Sequence, residues 1–369
     1  MSRSTAFQLI CKCLSWPGSA SDDGALLDRG DQDDFPWKSF VEIATEQMMA
    51  ATMSSALRRK GLHERVPDPV IKYFDAMHEL NARRNARIET EIEELASILN
   101  RIGVVPVLLK GGSGLISGLY AEPGTRIMSD IDVLIPAQQA GDSFEQLRSA
   151  GFRAASGGPP PNPRHHHLPQ LRRPGNAAAI ELHRDVLDYP NGSLLAAEEM
   201  LDEVTVLEHG NAKLAIPSHS HQLAVNIGHT QFADRCWLYG RTQLRSLHDF
   251  GLLVEKHGGN ADWQGLRNRF SGSFRRAAYD FHLLAANKLL AVAVPGSPPP
   301  GLLARPLFAR AQRMIDKPER LDLTERTLRP LVKLRRELSS SELRARLARN
   351  MGDPKWWRRH LGMLRRRAP

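Results

Sequence analysis

The sequence is poor in the features that mark secreted and membrane-spanning proteins. Its 369 residues include three cysteines, Cys11, Cys13 and Cys236, too few for the disulfide framework of a small extracellular domain. No run approaches the roughly 18–20 apolar residues that a membrane span needs. The apolar patch from Ala6 to Leu14 contains Lys12 and lacks a small-residue cleavage site, so no signal peptide is expected. We therefore predict a cytoplasmic protein with reduced thiols.

Several catalytic signatures are also absent. The chain contains no GxxxxGK[ST], GxSxG or HExxH motif, which are the marks of P-loop NTPases, α/β-hydrolases and one class of zinc protease. Two kinase-like triplets do occur, His183-Arg184-Asp185 and Asp249-Phe250-Gly251. Their wide separation, and the position of Lys110 before rather than after the glycines, do not fit a kinase. We interpret both triplets as chance similarity.

The net charge of +9 comes from one end of the chain. Residues 331–369 contain 12 basic and 3 acidic residues, whereas residues 1–330 contain 38 of each sign. The body is therefore neutral, and its charge does not predict a nucleic-acid binder. The tail, with Trp356-Trp357 among basic residues, fits contact with an anionic partner such as RNA, a membrane surface or an acidic protein. A solvated basic helix whose aromatic side chains pack back on the domain is the alternative.

Apolar spacing divides the chain into four regions. Repeats of three and four residues predict helices over Trp37–Arg59 and Val70–Asn100. Short apolar runs, glycines and an amphipathic segment follow as far as His183, and helical spacing returns from Ser218. We predict an N-terminal helical region (1–100), an α/β core (101–195), a C-terminal helical region (196–294), and a linker with a basic, arginine-rich tail (295–369).

The core begins with an apolar run and a glycine-rich segment. Val104–Leu109 predicts a buried strand, and Lys110-Gly111-Gly112-Ser113-Gly114 predicts a turn leading into a helix at Leu115. Backbone N–H groups of such a turn can approach a polyphosphate, with a helix N-terminus behind them. Lys110 and Arg126 are candidates to neutralise phosphate oxygens, although a loop salt bridge explains Arg126 nearly as well.

Two aspartates stand at the start of the next predicted strand, Met128–Ile135. Side chains alternate along a strand, so Asp130 and Asp132 share one face while their apolar neighbours take the other. Two adjacent carboxylates repel one another and are costly to bury without a cation. A pair of divalent ions removes this cost and can clamp the attacking and leaving oxygens of phosphoryl chemistry.

A later predicted strand, Ala177–His183, supplies a third carboxylate. Glu181 and His183 share a face of that strand. Oxygen ligands favour Mg²⁺ or Mn²⁺ over zinc. The triplet His165-His166-His167 precedes it in a loop; adjacent histidines do not share a face, and a contact from one of them to phosphate is a weaker hypothesis.

Residues 104–183 resemble the polymerase-β-type nucleotidyltransferase superfamily, and more specifically the bacterial uncharacterised nucleotidyltransferase family. The matching motifs are Leu109-Lys110-Gly111, Leu119-Tyr120, Arg126, Asp130-Ile131-Asp132 and Glu181-Leu182-His183. The resemblance implies an α+β fold, with a small mixed sheet and helices as a polymerase-β-like core between N- and C-terminal helical regions. It also implies that Asp130 and Asp132 bind metal, with Glu181 as third ligand and base. Gly112 and Ser113 would hold the triphosphate.

Three functional hypotheses follow from this pattern. The first is a metal-dependent nucleotidyltransferase that moves a nucleoside monophosphate from an NTP, with ATP expected, to an acceptor and releases pyrophosphate. The second is an inactive nucleotide- or RNA-binding protein of the same fold. The third is a phosphotransferase that uses the same site. The acceptor remains open among small molecules, peptides and RNA.

Overall fold

The computed structural model describes residues 3–16, 35–154, 165–188 and 191–338, with short pieces at 344–345, 348–350 and 352–354. The predicted aromatic pair Trp356-Trp357 lies outside the described residues. The chain divides into two compact units, Met1–Pro318 and Glu319–Pro369.

The first unit opens with helices. They are α1 (Arg3–Leu14), α2 (Trp37–Glu46), α3 (Ala50–Arg59) and α4 (Asp68–Asn100), with a 3₁₀ turn at His63–Arg65 before α4. One helix was predicted over Trp37–Arg59, but the structure has two, because Met48 adopts a left-handed backbone with φ 55° that a continuous helix cannot contain. Helix α4 begins at Asp68, two residues before the predicted Val70, with a proline in its first turn, where the missing N–H costs no hydrogen bond.

A mixed seven-stranded sheet follows, which confirms the α+β fold class. Its strands are β1 (Val107–Leu108), β2 (Asp130–Leu134), β3 (Arg153–Ala154), β4 (Leu171–Arg172), β5 (Ala179–His183), β6 (Val204–His209) and β7 (Ala212–Pro217). Their order in the sheet is β3-β4-β5-β2-β1-β7-β6. Strand β2 runs parallel to β5 and antiparallel to β1, while β1 runs parallel to β7. The five-residue strands β2 and β5 therefore lie side by side near the middle of the sheet.

The hairpin of β6 and β7 corrects the sequence prediction. These strands fall within residues 196–294, which were predicted to be helical, yet β7 pairs with β1 inside the sheet. Strand β6 is an edge strand with mostly exposed side chains, Val206 among them, so it shows no apolar run. The turn between the strands contains Gly210 with φ 57°, the left-handed conformation that glycine tolerates best.

Helices surround the sheet and complete the first unit. They are α5 (Lys110–Ile116), α6 (Ala140–Ser149), α7 (Ala197–Asp202), α8 (His219–Gly228), α9 (Cys236–Tyr239), α10 (Leu244–His257), α11 (Trp263–Arg269), α12 (Ser273–Leu290) and α13 (Ala304–Ile315). Short 3₁₀ turns lie at Pro123–Thr125, Ala137–Gln139, Gly192–Leu194 and Gly258–Asn260. A π-helical segment, His229–Ala233, continues α8.

Two apolar clusters hold this unit together. One packs the C-terminal half of α4 and helix α6 against one face of the sheet, where Ile131, Val133 and Ile180 are buried. The other joins α1, α2, α3, α8, α10 and α12, and reaches Leu134 on the opposite face of β2. Odd and even residues of β2 therefore face different cores. The site lies on the second face, between the sheet and the C-terminal helices.

The second unit contains helix α14 (Pro318–Leu338). Its Leu323, Leu331 and Leu334 side chains are exposed. Among the described helices of the chain, none combines the length and apolarity that crossing a bilayer requires.

Candidate active site

The carboxylates singled out in the sequence are assembled by the pairing of β2 with β5. In this parallel pair Asp132 lies directly opposite Glu181, and Asp130 lies opposite Ala179. Residues opposite one another on adjacent strands point to the same face of a sheet. Asp132 and Glu181, 49 positions apart in the chain, therefore become neighbours on one face, together with His183.

Asp132 is buried and its contacts are concentrated on one oxygen. Its side chain is 4% exposed, and Oδ1 accepts hydrogen bonds from Lys110 Nζ at 2.6 Å and from His183 Nε2 at 2.9 Å. Within the described part of the chain, no hydrogen bond or ion pair reaches Oδ2. One carboxylate oxygen is therefore neutralised by protein cations, and the other is left for a further ligand.

Glu181 shows the same division between its two oxygens. Oε1 accepts a hydrogen bond from Gln170 Nε2 at 3.1 Å. Oε2 lies 3.6 Å from His183 Nε2 and 3.8 Å from His167 Nε2, beyond hydrogen-bonding distance. Because the His167 Nδ1 atom lies 2.6 Å from the Leu168 carbonyl, which only accepts, Nδ1 carries a proton.

Asp130 lies at the solvent side of this group. Its Oδ1 accepts a hydrogen bond from Ser129 Oγ at 3.1 Å. The ligand atoms that lie within 4.8 Å of one another belong to Asp132, Glu181 and His183, a set that does not include Asp130. Asp130 nevertheless lines the same cavity and interacts electrostatically with Asp132 and Glu181.

The surroundings move the pKa values of these groups apart. Burial acts to raise the pKa of Asp132, but the Lys110 charge and the His183 hydrogen bond outweigh it and lower the pKa well below its usual range. Burial, followed by the Asp132 charge, raises the pKa of Asp130. Burial is likewise outweighed at Glu181, where the nearby His183 and His167 imidazoles lower the pKa to about 2. Asp132 and Glu181 are thus ionised at neutral pH.

These residues fit a divalent metal ion. Asp132, Glu181 and His183 together offer carboxylate oxygens and one imidazole nitrogen, a donor set that suits several first-row divalent ions as well as Mg²⁺. Among the described residues, Asp132 Oδ2 and Asp130 Oδ2 have no hydrogen-bond or ion-pair partner, and Glu181 Oε2 has only the two imidazoles at 3.6 and 3.8 Å. An ion at this point would share the charge of Asp132 with Lys110.

The glycine-rich segment has a different conformation from the predicted turn. Helix α5 already begins at Lys110, and two of its glycines pack closely against neighbouring side chains. A Cβ atom on Gly111 would lie 2.6 Å from Met128 Sδ, and one on Gly114 would lie 2.7 Å from Tyr120 Oη. These glycines therefore permit close packing within a helix. Gly112 is buried and does not line the cavity, whereas Lys110, Gly111 and Ser113 do.

Ser113 is the polar residue of this helix. It is 2% exposed, and its Oγ atom is buried without a hydrogen-bond partner in the described structure. A buried hydroxyl that lines a cavity without a partner is a candidate to bind a ligand.

Arg126 connects the two sides of the cavity. Its Nε donates to both oxygens of Asp249, at 3.0 and 2.8 Å, and both side chains are 11% exposed. Burial acts to lower the pKa of Arg126, but the Asp249 charge outweighs it and raises the pKa. The residue predicted to bind phosphate is thus placed in the cavity wall and already paired with a carboxylate.

The cavity has a volume of about 410 Å³, which lies in the range of small-ligand pockets. Four non-glycine residues with positive φ occur in the described chain, and three of them line this cavity: Met48, Lys110 and Arg235. A left-handed backbone costs such residues about 1–2 kcal/mol, and strain of this kind concentrates at functional sites. The π-helical segment His229–Ala233, another feature enriched at functional sites, also contributes to the wall.

The histidine triplet also reaches the cavity. His165, His166 and His167 all line it, and their rings stack or contact edge to face with centroids 4.3–4.8 Å apart. His166 Nδ1 lies 2.7 Å from Asp188, and His167 forms a β-bridge with His183. Burial outweighs the Asp188 contact and lowers the pKa of His166 to about 4. The strand-like bridge explains how a loop segment is held beside β5.

Some residues of the cavity were missed by sequence reasoning. Asp249 belongs to a triplet that was set aside as chance similarity to a kinase, and Arg245, Asp234 and His229 had no assigned role. They come from helices and turns that begin 46 positions beyond the end of β5. No local spacing connects them to the carboxylates. Only the position of His183, two residues from Glu181, offered a signal, because alternation places both on one face.

Comparison with known proteins agrees with this geometry. The family model described as an uncharacterised nucleotidyltransferase matches residues 33–291. The chain belongs to the uncharacterised nucleotidyltransferase family. This confirms the resemblance inferred from the motifs. The match extends over the helices on both sides of the sheet, so the scaffold and the C-terminal helices belong to the family region together with the carboxylates.

A solved structure is also similar to part of this nucleotidyltransferase-family chain. It is an antigenic nucleotidyltransferase-like protein from Paracoccidioides brasiliensis, with 18% sequence identity and a TM-score of 0.35. The similarity covers 56% of this chain and 96% of that one. No curated protein matches the sequence.

Proposed function

We propose that the protein transfers a nucleoside monophosphate from an NTP, with ATP expected, to an acceptor and releases pyrophosphate. The observation that carries this proposal is the β2–β5 register, which sets Asp132 against Glu181 with Asp130 beside them in a ligand-sized cavity. Mg²⁺ or Mn²⁺ is the proposed cofactor, held by Asp130, Asp132 and Glu181. His183 is a further candidate ligand.

In the proposed reaction an acceptor oxygen attacks the α-phosphorus and the bond from that phosphorus to the α,β-bridging oxygen breaks. A bound divalent ion would supply positive charge to the α-phosphate and the attacking oxygen. Glu181, ionised at neutral pH, is the proposed acceptor for the proton of the attacking hydroxyl. Lys110 is placed to neutralise phosphate oxygens while it holds Asp132. Ser113 and the neighbouring Gly111 are proposed to contact the triphosphate, and Gly112 supports them from the core side.

The acceptor is a hydroxyl or phosphate nucleophile on a small molecule, a peptide or an RNA. A cavity of about 410 Å³ is of the size that encloses a single small ligand, so a large acceptor would present its reactive group at the mouth. The basic tail is proposed to contact an anionic partner separately from the chemistry. None of the three cysteines, all of which lie in the described part of the chain, forms a disulfide, in keeping with the cytoplasmic location proposed from the sequence.

Labelled ATP tests the reaction. The protein is incubated with Mg²⁺ or Mn²⁺ and ATP labelled at the α- or γ-phosphate, with small-molecule, peptide and RNA pools as acceptors. We expect label to transfer from the α-position. Asp132→Asn and Glu181→Gln should each reduce transfer about 100- to 1000-fold, the loss typical of removing an electrostatic group from such a site. Binding of Mn²⁺, followed by electron paramagnetic resonance, should weaken in both variants.

The exposed carboxylate Asp142 on α6 provides the matched control, because Asp142→Asn removes the same charge away from the cavity. Transfer from the γ-position would instead identify a phosphotransferase. Nucleotide binding without transfer to any pool would favour an inactive nucleotide-binding protein.

A further inference from the structure

The cavity contains basic residues in two different electrostatic situations. Its permanently basic lining residues are Lys110, Arg126, Arg235 and Arg245. Lys110 is paired with Asp132, and Arg126 is paired with Asp249. Within the described chain, Arg245 has no carboxylate within 4.0 Å. A largely buried cation normally has an anionic partner, so Arg245 differs from the two paired residues.

The contacts of Arg245 do not satisfy its guanidinium group. Nη1 lies 2.7 Å from Met48 Sδ and 3.5 Å from the Ile127 carbonyl. A thioether is a weak acceptor, whereas a guanidinium presents five N–H donors in a fork that matches carboxylate or phosphate oxygens. Most of its hydrogen-bonding capacity therefore remains for a ligand in the cavity.

The position of Arg245 is also electrostatically unfavourable. It is the second residue of α10, where the positive end of the helix dipole opposes a cation. Burial, followed by the neighbouring Arg126 charge, lowers the pKa of Arg245. The fold thus holds the Arg245 cation at a position where burial, the Arg126 charge and the helix dipole all disfavour a positive charge. An anion beside Arg245 would relieve both the helix dipole and the repulsion from Arg126.

We infer that Arg245 binds the β- and γ-phosphates of the nucleotide, the group that leaves as pyrophosphate. This inference rests on the proposed nucleotidyl transfer. Arg245 and the three carboxylates line the same cavity, so a polyphosphate whose α-phosphate is held at the carboxylates would extend within this cavity towards Arg245. Arg245 thereby extends the substrate site from the strand carboxylates to helix α10.

The balance of charge in the cavity favours a metal-bound polyphosphate over a simple anion. Six carboxylates line it and outnumber the four permanent cations: Asp130, Asp132, Glu181, Asp188, Asp234 and Asp249. A bare phosphomonoester or carboxylate would meet this excess of negative charge. A polyphosphate that enters with a divalent ion brings positive charge to the carboxylates. Its terminal phosphates can then accept hydrogen bonds from the Arg245 guanidinium.

Calorimetric binding to the full chain tests this assignment. The ligands are Mg²⁺-pyrophosphate, Mg²⁺-ATP, AMP and glycerol phosphate, and the proteins are the unaltered chain, Arg245→Gln and Arg305→Gln. Arg305 is an exposed residue of α13 that does not line the cavity. We expect Arg245→Gln to weaken pyrophosphate and ATP binding about 10- to 100-fold, as for the loss of a charged hydrogen bond. AMP binding should change less than about 2-fold, and Arg305→Gln should bind like the unaltered chain.

The outcomes separate this inference from the proposed function. If the unaltered chain binds neither ATP nor pyrophosphate, the proposed function fails and this inference fails with it. Pyrophosphate binding that is equal in the unaltered chain and Arg245→Gln overturns the inference alone. Selective loss of AMP or glycerol phosphate binding also overturns it, because Arg245 would then contact the nucleoside end or the acceptor. Thermal melting verifies that Arg245→Gln is folded, and Arg245→Lys, which keeps the charge without the fork, replaces it if it is not.

Discussion

The two walls of the cavity are built by different means. The strand wall carries Asp130, Asp132 and Glu181 on two paired strands, where backbone hydrogen bonds and side-chain alternation position each carboxylate. The helix wall carries Arg245 and Asp249 on α10, far away in the chain, where packing alone sets their position. The strand wall holds the charges that suit a metal ion, and the helix wall adds a cation that suits a phosphate.

The two walls meet in one buried ion pair. Arg126, in the segment before β2, donates to both oxygens of Asp249. We expect this pair to be the strongest connection between the walls. Helix dipoles, part-exposed ion pairs and glycine packing should each contribute less to the free energy of unfolding. Substitutions at Arg126, Gly114 and Glu199 test this order, from the largest expected effect to the smallest.

Arg126→Met should produce the largest loss of stability. Removing the guanidinium leaves the Asp249 carboxylate buried beside apolar groups, and breaking a buried pair in this way costs about 3–5 kcal/mol. Urea denaturation measures the free energy of unfolding. The double variant Arg126→Met, Asp249→Leu removes both charges and should recover most of the loss. A single variant as stable as the unaltered chain would show that the pair does not join the walls.

Gly114→Ala, in helix α5, should have an intermediate effect on stability. The new Cβ would lie 2.7 Å from Tyr120 Oη and 2.8 Å from its ring carbons, and overpacking of a rigid ring costs about 1–3 kcal/mol. Gly112→Ala is the matched control in the same helix, since its nearest contacts are 3.9 Å away. There alanine should be neutral or stabilise the helix by up to about 1 kcal/mol. Equal melting temperatures for the two variants would contradict the packing role of Gly114.

Glu199→Gln should have the smallest effect, and its effect should depend on pH. The hydrogen bond from Arg269 outweighs burial and lowers the pKa of Glu199 to about 2, below the value of about 4.3 in an unfolded chain. The pair therefore stabilises the fold above about pH 4.3, and this contribution is lost as the pH falls towards 2. Because the Glu199 side chain is 42% exposed, solvent screening limits it to less than about 1 kcal/mol.

Urea denaturation at pH 7 and pH 3 measures this dependence. The difference between the unaltered chain and Glu199→Gln should be larger at pH 7. Glu198→Gln, at the exposed neighbouring position, is the control for a general loss of negative charge. If the difference in the free energy of unfolding instead grows as the pH falls, the predicted pH dependence of this ion pair is wrong.

Much of the strand wall could be predicted from local sequence patterns. Asp130 and Asp132 were predicted on one strand and Glu181 on another, and the structure pairs these two strands in parallel. The α+β class and the long helix ending at Asn100 were also predicted. In each case the deciding interaction lies within a few residues, because side-chain alternation and helical periodicity are local properties of the chain.

Other features were mispredicted or missed because their cause lies elsewhere in the fold. The glycine segment forms a helix rather than a turn, and its glycines are required by Met128 and Tyr120, which occupy the space beside Gly111 and Gly114. Strands β6 and β7 were missed: β6 is a partly exposed strand at the sheet edge, and β7 owes its buried position to pairing with the distant strand β1. Periodicity records which face of an element is apolar, but it does not record which neighbour covers that face.

The sequence by itself indicated metal-assisted phosphoryl chemistry, through two aspartates and a glutamate in their strand context, and its motifs resemble the nucleotidyltransferase family to which the chain belongs. The tertiary structure alone decided which side chains meet those carboxylates. It bound Lys110 and His183 to Asp132, paired Arg126 with Asp249, and left Arg245 facing the cavity without a carboxylate among the described residues. The physical reason is that charge pairing acts through space, between groups that only the packed helices and sheet bring together.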